Sequence, residues 1–271
     1  MAIGSAQRRV DELAPLDGER ADIEANIIFY IVASASFVEI TSDLYTRNLV
    51  EFFEDDAEIV SWLRAVWEAE ELGHGARLKS HVMTAWPDFD WGSAYARYHD
   101  EFRLHCTQAG MAASQAEELV ALCVVETGTA SLYRMLANAS DEPRLHQIAA
   151  SIGSEEIGHY KRFLRYLLRY RARGRLSSTR ILRAVWSQMT AIESEDAFYA
   201  FKHVYLSRNP GMAFNRTAYV AFRRSCQKLA SRHFPFGMAI KMLLKLLPLP
   251  TIFQRIAVPP LASMSRLLLS I

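Results

Sequence analysis

The pentapeptide EELGH fills Glu70 to His74, and EEIGH fills Glu155 to His159, 85 positions later; they differ only at Leu72 against Ile157. On a helix, residues three apart share a face. Glu71 and His74 then point the same way, as do Glu156 and His159. A carboxylate and an imidazole so placed can hold one metal ion between them. Each Glu-x-x-His leaves coordination positions that other side chains must fill.

Two apolar stretches supply candidates. From Ala25 to Ser42, ANIIFYIVASASFVEITS, the only charged residue is Glu39; from Leu119 to Tyr133, LVALCVVETGTASLY, it is Glu126. Burying a lone carboxylate is expensive unless it is protonated, paired or bound to metal. Glu39 precedes Glu71 by 32 residues and Glu126 precedes Glu156 by 30. Either interval is a helix, a turn and half a helix, which returns the chain to the same level. Asp43 and Glu24 are further acids on the helix of Glu39. Two hairpins, each giving Glu plus Glu-x-x-His, would place four carboxylates and two histidines around a dinuclear site. Oxygen-rich ligation with two imidazoles suits iron or manganese better than zinc. Glu70 and Glu155 each stand one position before a ligand. Either each orients the histidine of the opposite half through its free N–H, or each is a solvated acid on a helix flank.

The elements that must position these groups read as helices, because the apolar spacing is helical and Pro and Gly are scarce before residue 200. A first helix is expected from about Ala21 to Phe53. A second starts after a cap at Asp55 or Asp56, runs to about Thr84, and is ended by Pro87. Ser114 caps a third, through about Asn138. Ser140 starts a fourth that runs to about Arg173, where Gly174 stops it. The short links between helices one and two, and between three and four, predict antiparallel hairpins. The long link from two to three can cross the bundle and has room for a short helix. The expectation is an all-α four-helix bundle with one long crossover over residues 20–173. Residues 174–271 would form a basic amphipathic helical extension packing on the bundle or a partner.

Composition agrees with a globular chain: 271 residues, 51% hydrophobic and 23% charged. Three separated cysteines suggest no disulfide framework. The first twenty residues lack an apolar signal core, and no run of about 18 apolar residues stands out as a spanning helix. The expected setting is the cytoplasm, with peripheral membrane attachment as a variant. The formal net charge of +1 conceals a division. Residues 1–160 hold 11 basic and 27 acidic residues, whereas residues 161–271 hold 20 basic and three acidic ones. The basic half suits an anionic membrane surface or an acidic protein such as acyl carrier protein. Otherwise it neutralises the acidic half, within the fold or across a homodimer. Nucleic acid ranks last, since no RNA- or DNA-binding module is visible.

Residues about 20–172 resemble the ferritin-like di-iron carboxylate superfamily. WEAEELGHG is similar to the second-helix motif of soluble acyl-carrier-protein desaturases. The 55-residue interval from Glu71 to Glu126 also suits these desaturases and the aldehyde-deformylating oxygenases. The resemblance implies Glu39, Glu71, His74, Glu126, Glu156 and His159 as ligands of two iron ions, with manganese as the alternative metal. It implies a proton-handling role for Thr129, which sits three residues after Glu126. Desaturases usually carry Arg just before the motif histidine; here Gly73 and Gly158 stand there, leaving room for substrate or closer helix packing.

The expected activity is an O2-dependent non-haem di-iron oxidase, a desaturase, hydroxylase or oxygenase, acting on a lipid-like or carrier-bound acyl substrate. With no flavin or nicotinamide fingerprint in the chain, electrons would come from a ferredoxin or reductase. The aromatics Phe29, Tyr30, Phe37, Trp62, Trp67 and Tyr133 could line an apolar channel, or simply form core. The alternative activity is iron binding or ferroxidation without an organic substrate.

Overall fold

The computed structural model describes residues 17–174, 176–190 and 195–270, and regular structure among them is helical, with no strand. The expected first helix is three: α1 (Asp17–Ala25), α2 (Ile27–Ile40) and α3 (Ser42–Phe52). Side chains that compete for backbone partners explain the breaks. Asn26 Nδ2 donates to the Asp22 carbonyl at 3.0 Å. Thr41 donates to the Phe37 carbonyl at 2.7 Å, and α2 and α3 meet there at a 43° bend. Hydroxyls bonded back to the preceding turn bend helices in this way.

The expected second helix is also interrupted. Asp56 caps α4 (Ala57–Trp62) through Ile59 N–H; a π-helical turn, Leu63–Trp67, follows; α5 (Glu68–Ala85) completes the run. The long link holds α6 (Trp91–Phe102), capped by Asp90, and a 3-10 turn at Gln108–Gly110. Ser114 caps α7 (Gln115–Ala139). Glu142, rather than Ser140, caps α8 (Pro143–Ala172): its carboxylate accepts from the N–H groups of Arg144 and Leu145, and Pro143 presets the first turn. Gly174, at φ +70°, ends that run.

Side-chain contacts give the directions of α2, α5, α7 and α8. Along α5 from Glu70 to Ser80, partners on α8 run back from His159 to Arg144, so the two are antiparallel. On α2, Phe29 meets Trp86 while Ile40 meets Gly75, so α2 and α5 are antiparallel too. Tyr133 lies against Gly153, and Ala137 against His146, which sets α7 antiparallel to α8.

The second half adds α9 (Ser178–Thr190), α10 (Glu195–Arg208), α11 (Arg216–His233), α12 (Phe236–Leu246) and α13 (Thr251–Ser270). It shares the core of the first half. Phe201 packs on Tyr30, and Tyr160 donates to the Met242 carbonyl at 2.6 Å. Charges also pair between the halves: Lys202 with Glu101, Arg180 with Glu117, and Lys228 with Glu24. α7 does meet the length and apolarity of a membrane span, unlike the sequence expectation, and the bent α2–α3 pair does so together. However, 67% of the apolar window of α7 is buried against the other helices.

Candidate metal centre

Glu39 on α2, Glu71 and His74 on α5, Glu126 on α7, and Glu156 and His159 on α8 converge at one level. All six are 0–6% exposed. Their ligand atoms form two groups, each within 4.8 Å: Glu39, Glu71, His74 and Glu156 in one, Glu71, Glu126, Glu156 and His159 in the other. Glu71 and Glu156 belong to both. The sequence left open whether these two acids bridge; here each has an oxygen near both imidazoles. His74 Nδ1 lies 3.6 Å from Glu39, 3.6 Å from Glu71 and 3.2 Å from Glu156. His159 Nδ1 lies 3.0 Å from Glu71, 3.7 Å from Glu126 and 3.2 Å from Glu156. The imidazole centroids are 5.7 Å apart.

The other ring nitrogens face acids of the opposite hairpin. His74 Nε2 is 2.9 Å from Glu155, and His159 Nε2 is 2.7 Å from Glu70. Such contacts fix ring orientation and leave Nδ1 aimed inward. Asp43 and Glu24 lie apart from the cluster: Asp43 is half-buried beside Arg47, and Glu24 pairs with Lys228.

Electrostatics follow from crowding. Burial, then the charge on Glu71, push Glu39 up to about 7. Burial, then Glu156, hold Glu126 well above the usual carboxylate range. Burial and the neighbouring carboxylates act upward on Glu71 and Glu156, but the close approach of both imidazoles outweighs them and holds the two acids below that range. Burial disfavours a charged imidazole, yet contacts with Glu156, Glu39 and Glu71 push His74 up to about 12. His159 is raised in the same way by Glu126, Glu156 and Glu71. Four buried acids require cations, whether protons on histidine or metal ions.

The donors fit metal. Glu156 Oε1 and His74 Nδ1 are buried, 3.2 Å apart, and neither makes a hydrogen bond. Close approach without hydrogen-bond direction is what ligand atoms aimed at a common cation show. Buried polar atoms of this kind otherwise find a partner.

Other contacts were not foreseen from the sequence. Tyr133 OH donates to Glu39, and Trp67 Nε1 donates to Glu126 at 3.1 Å. Trp67 ends the π-helical turn, and such turns often re-aim side chains at functional sites. Arg77 donates to both oxygens of Glu155, at 2.6 and 3.2 Å, and Ser151 donates to it at 2.8 Å. These bonds outweigh burial and set Glu155 at about 2. Spacing could have suggested Arg77, three residues after His74, and Ser151, four before Glu155.

Thr129 is half-buried, and its hydroxyl donates to the Val125 and Glu126 carbonyls, both at 3.3 Å. A helical threonine satisfying itself this way has no described contact that carries the expected proton role. A Cβ added at Gly73 or Gly158 would meet nothing within 4 Å, so neither serves close helix packing; Gly75 does, since its Cβ would fall 2.6 Å from Ile40 N. The surface cleft beside the π-helical turn is lined by charged groups, Asp43, Arg47, Glu51, Glu54, Arg64 and Glu68 among them. It is not an apolar channel, and the six aromatics that could have lined one or formed core are buried.

These features define an all-helical protein with a buried carboxylate–histidine cluster able to bind metal. No family model matches the chain, and no curated protein or solved structure matches it.

Proposed function

We propose that the chain is a ferritin-like di-metal carboxylate protein. In this reading it is a non-haem di-iron oxidoreductase of desaturase or monooxygenase type that uses dioxygen on a lipid-like or carrier-bound acyl substrate. The observation that carries it is the pair of overlapping ligand groups sharing Glu71 and Glu156. The antiparallel pairs α2/α5, α5/α8 and α7/α8, with a long link between α5 and α7, support the ferritin-like label. Glu39 and His74 would hold one ion, Glu126 and His159 the other, with Glu71 and Glu156 between them. Iron bound in such a site supplies the power to oxidise an unactivated C–H bond with dioxygen.

The chain's own residues do the rest. Glu155 and Glu70 hold the imidazoles in orientation. Tyr133 and Trp67 steady the outer carboxylates by donating to them. The surrounding core, including Trp62, Trp67 and Phe163, keeps bulk water away. A ferredoxin or reductase would deliver electrons to the surface.

Ferrous protein, loaded anaerobically, tests the proposal. Two ions per chain, with dioxygen uptake that rises on adding fatty acids or acyl carriers, is the expected result. Two ions with uptake indifferent to every organic compound, and mineral growth beyond them, would instead assign a ferroxidase. Fewer than two ions would remove the basis of both.

A further inference from the structure

α13 turns a ridge of large apolar side chains outward. Ile252, Phe253, Ile256, Met264, Leu267 and Leu268 are 53–66% exposed. Ile252, Ile256, Pro260 and Met264 follow one another at four-residue steps, so they line one face, with Phe253 and Leu267 beside them. The opposite face packs inward: Val258 reaches Gly237 of α12, and Arg266 lies over the Phe236 ring. Soluble surfaces scatter apolar residues singly, and a contiguous exposed ridge marks an interaction site.

Charge identifies the occupant. Residues 197–271 contain eleven Lys and Arg and no Asp or Glu. Arg255 is exposed on α13 itself, and Lys241 and Lys245 are exposed on the adjoining α12. Lys202 and Lys228 of this segment pair with Glu101 and Glu24 of the first half, but a second copy pressed onto the α12–α13 face would still set Lys241, Lys245 and Arg255 against their own counterparts. An acidic protein would satisfy the cations, but a convex apolar ridge offers it no groove. A lipid surface with anionic headgroups satisfies both features at once.

Helix geometry also sets the depth. Pro259 and Pro260 cannot donate to the carbonyls one turn earlier, those of Arg255 and Ile256. Unpaired carbonyls are costly in hydrocarbon but find water at the headgroup level. We propose that the outer face of α13 lies flat in the interface of an anionic bilayer, with Lys241, Lys245 and Arg255 against the headgroups. This surface is independent of the metal centre, and either can stand without the other.

Flotation of the full-length protein tests it, with vesicles of phosphatidylcholine alone and of phosphatidylcholine mixed with phosphatidylglycerol. The expected result is partitioning onto the mixed vesicles that added salt weakens. Phe253→Ser with Ile256→Ser should lower that partitioning at least about tenfold, because both side chains lose their buried place in the interface. Both residues are exposed, so the thermal midpoint of the doubly substituted protein should stay at the parent value. Lys241→Glu with Arg255→Glu should abolish the preference for phosphatidylglycerol. Equal partitioning of parent and the Phe253/Ile256 variant would overturn the proposal. So would a parent dimer, seen by light scattering, that the same variant dissolves, which would assign the ridge to a second copy. Parent protein that ignores both vesicles but binds an acidic carrier protein would overturn it as well.

Discussion

Arg77 and Glu155 form a two-pronged ion pair, 2.6 and 3.2 Å across its two contacts, and Glu155 in turn touches His74 at 2.9 Å. The other half of the cluster lacks this clamp. Arg162 follows Glu155 by seven residues as Arg77 follows Glu70, but it lies over the Trp62 ring, 5.7 Å from its centre. Ser151 stands four before Glu155, where Val66 stands four before Glu70. Among the described contacts, Glu70 pairs with His159 alone. The acid that orients His74 is therefore buttressed among the described contacts, and the one that orients His159 is not. Under the proposed function, two ferrous ions should bind in unequal steps, the tighter one at His74. Groups that orient a ligand are typically worth 10- to 100-fold in metal affinity. Arg77→Gln should weaken the first step by about that factor and leave the second near its parent value. Anaerobic calorimetric titration checks this: His159→Ala should keep the tight ion and His74→Ala the weak one. Two equal steps in the parent would sink the idea.

Gly75 sets how closely α2 approaches α5. An added Cβ would lie 2.6 Å from both Ile40 N and Ile40 Cγ1 and 2.9 Å from Ile40 Cα. Two of these three atoms are backbone, so the helices must part. Gly75→Ala should cost about 1–3 kcal/mol, as overpacking does, and draw Glu39 away from His74. Gly73→Ala meets open space and should gain up to about 1 kcal/mol in helix propensity. Thermal unfolding with and without ferrous ion separates the two: Gly73→Ala should keep the stabilisation by metal, and Gly75→Ala should lose most of it.

The contrast between these glycines shows what the sequence could reveal. EELGHG carries both, and nothing in the string says which one another helix approaches. The acids of the buried cluster were legible because each is a lone charge in an apolar helix or sits three residues from a histidine. Both are local patterns. Helix breaks at Asn26 and Thr41, and the π-helical turn before Glu68, were not legible. They depend on which carbonyl a side chain bonds, and apolar periodicity does not register that. Trp67 and Tyr133 were visible as aromatics at helical spacing. Their role as donors to Glu126 and Glu39 exists only once the π-helical turn and α2 are placed against α7. Cap residues fell between: Asp56 and Ser114 act as their types suggest, while Glu142 took the place expected of Ser140 because Pro143 fixes the first turn after it.

Tyr133 gives a test of how Glu39 is tolerated. Its hydroxyl donates to a buried carboxylate that lies beside His74, Glu71 and Glu156. Tyr133→Phe keeps the ring and removes the donor. An unsatisfied buried acceptor costs about 1–3 kcal/mol, so the metal-free variant should unfold at lower temperature. A bound cation would supply part of the missing compensation. The gap between variant and parent should therefore shrink when metal is added. A gap that is unchanged or wider would mean that Glu39 is not a ligand.

Acid should loosen the junction between α6 and α10 in two steps. Glu101 accepts from Lys202 at 2.7 and 2.8 Å and lies 2.6 Å from His203 Nε2. Burial acts upward on Glu101, but these two partners hold it below its ordinary value of 4.5. His203 is held below its ordinary 6.5, chiefly by burial, against the pull of Glu101. The signs agree. In each case the unfolded chain binds the proton more readily, so stability is fully present above the ordinary value and is lost as pH falls through it. The pair should cost stability first below about 6.5, through His203, and again below about 4.5, through Glu101. Glu101→Gln removes the second loss and exposes the first. At neutral pH that variant should lose at most about 1 kcal/mol, since the pair is partly solvated and screened. Chemical denaturation followed from pH 7 to pH 4 checks the order. A parent whose stability stays flat through that range, or falls no faster than the variant below about 4.5, would contradict the assignment.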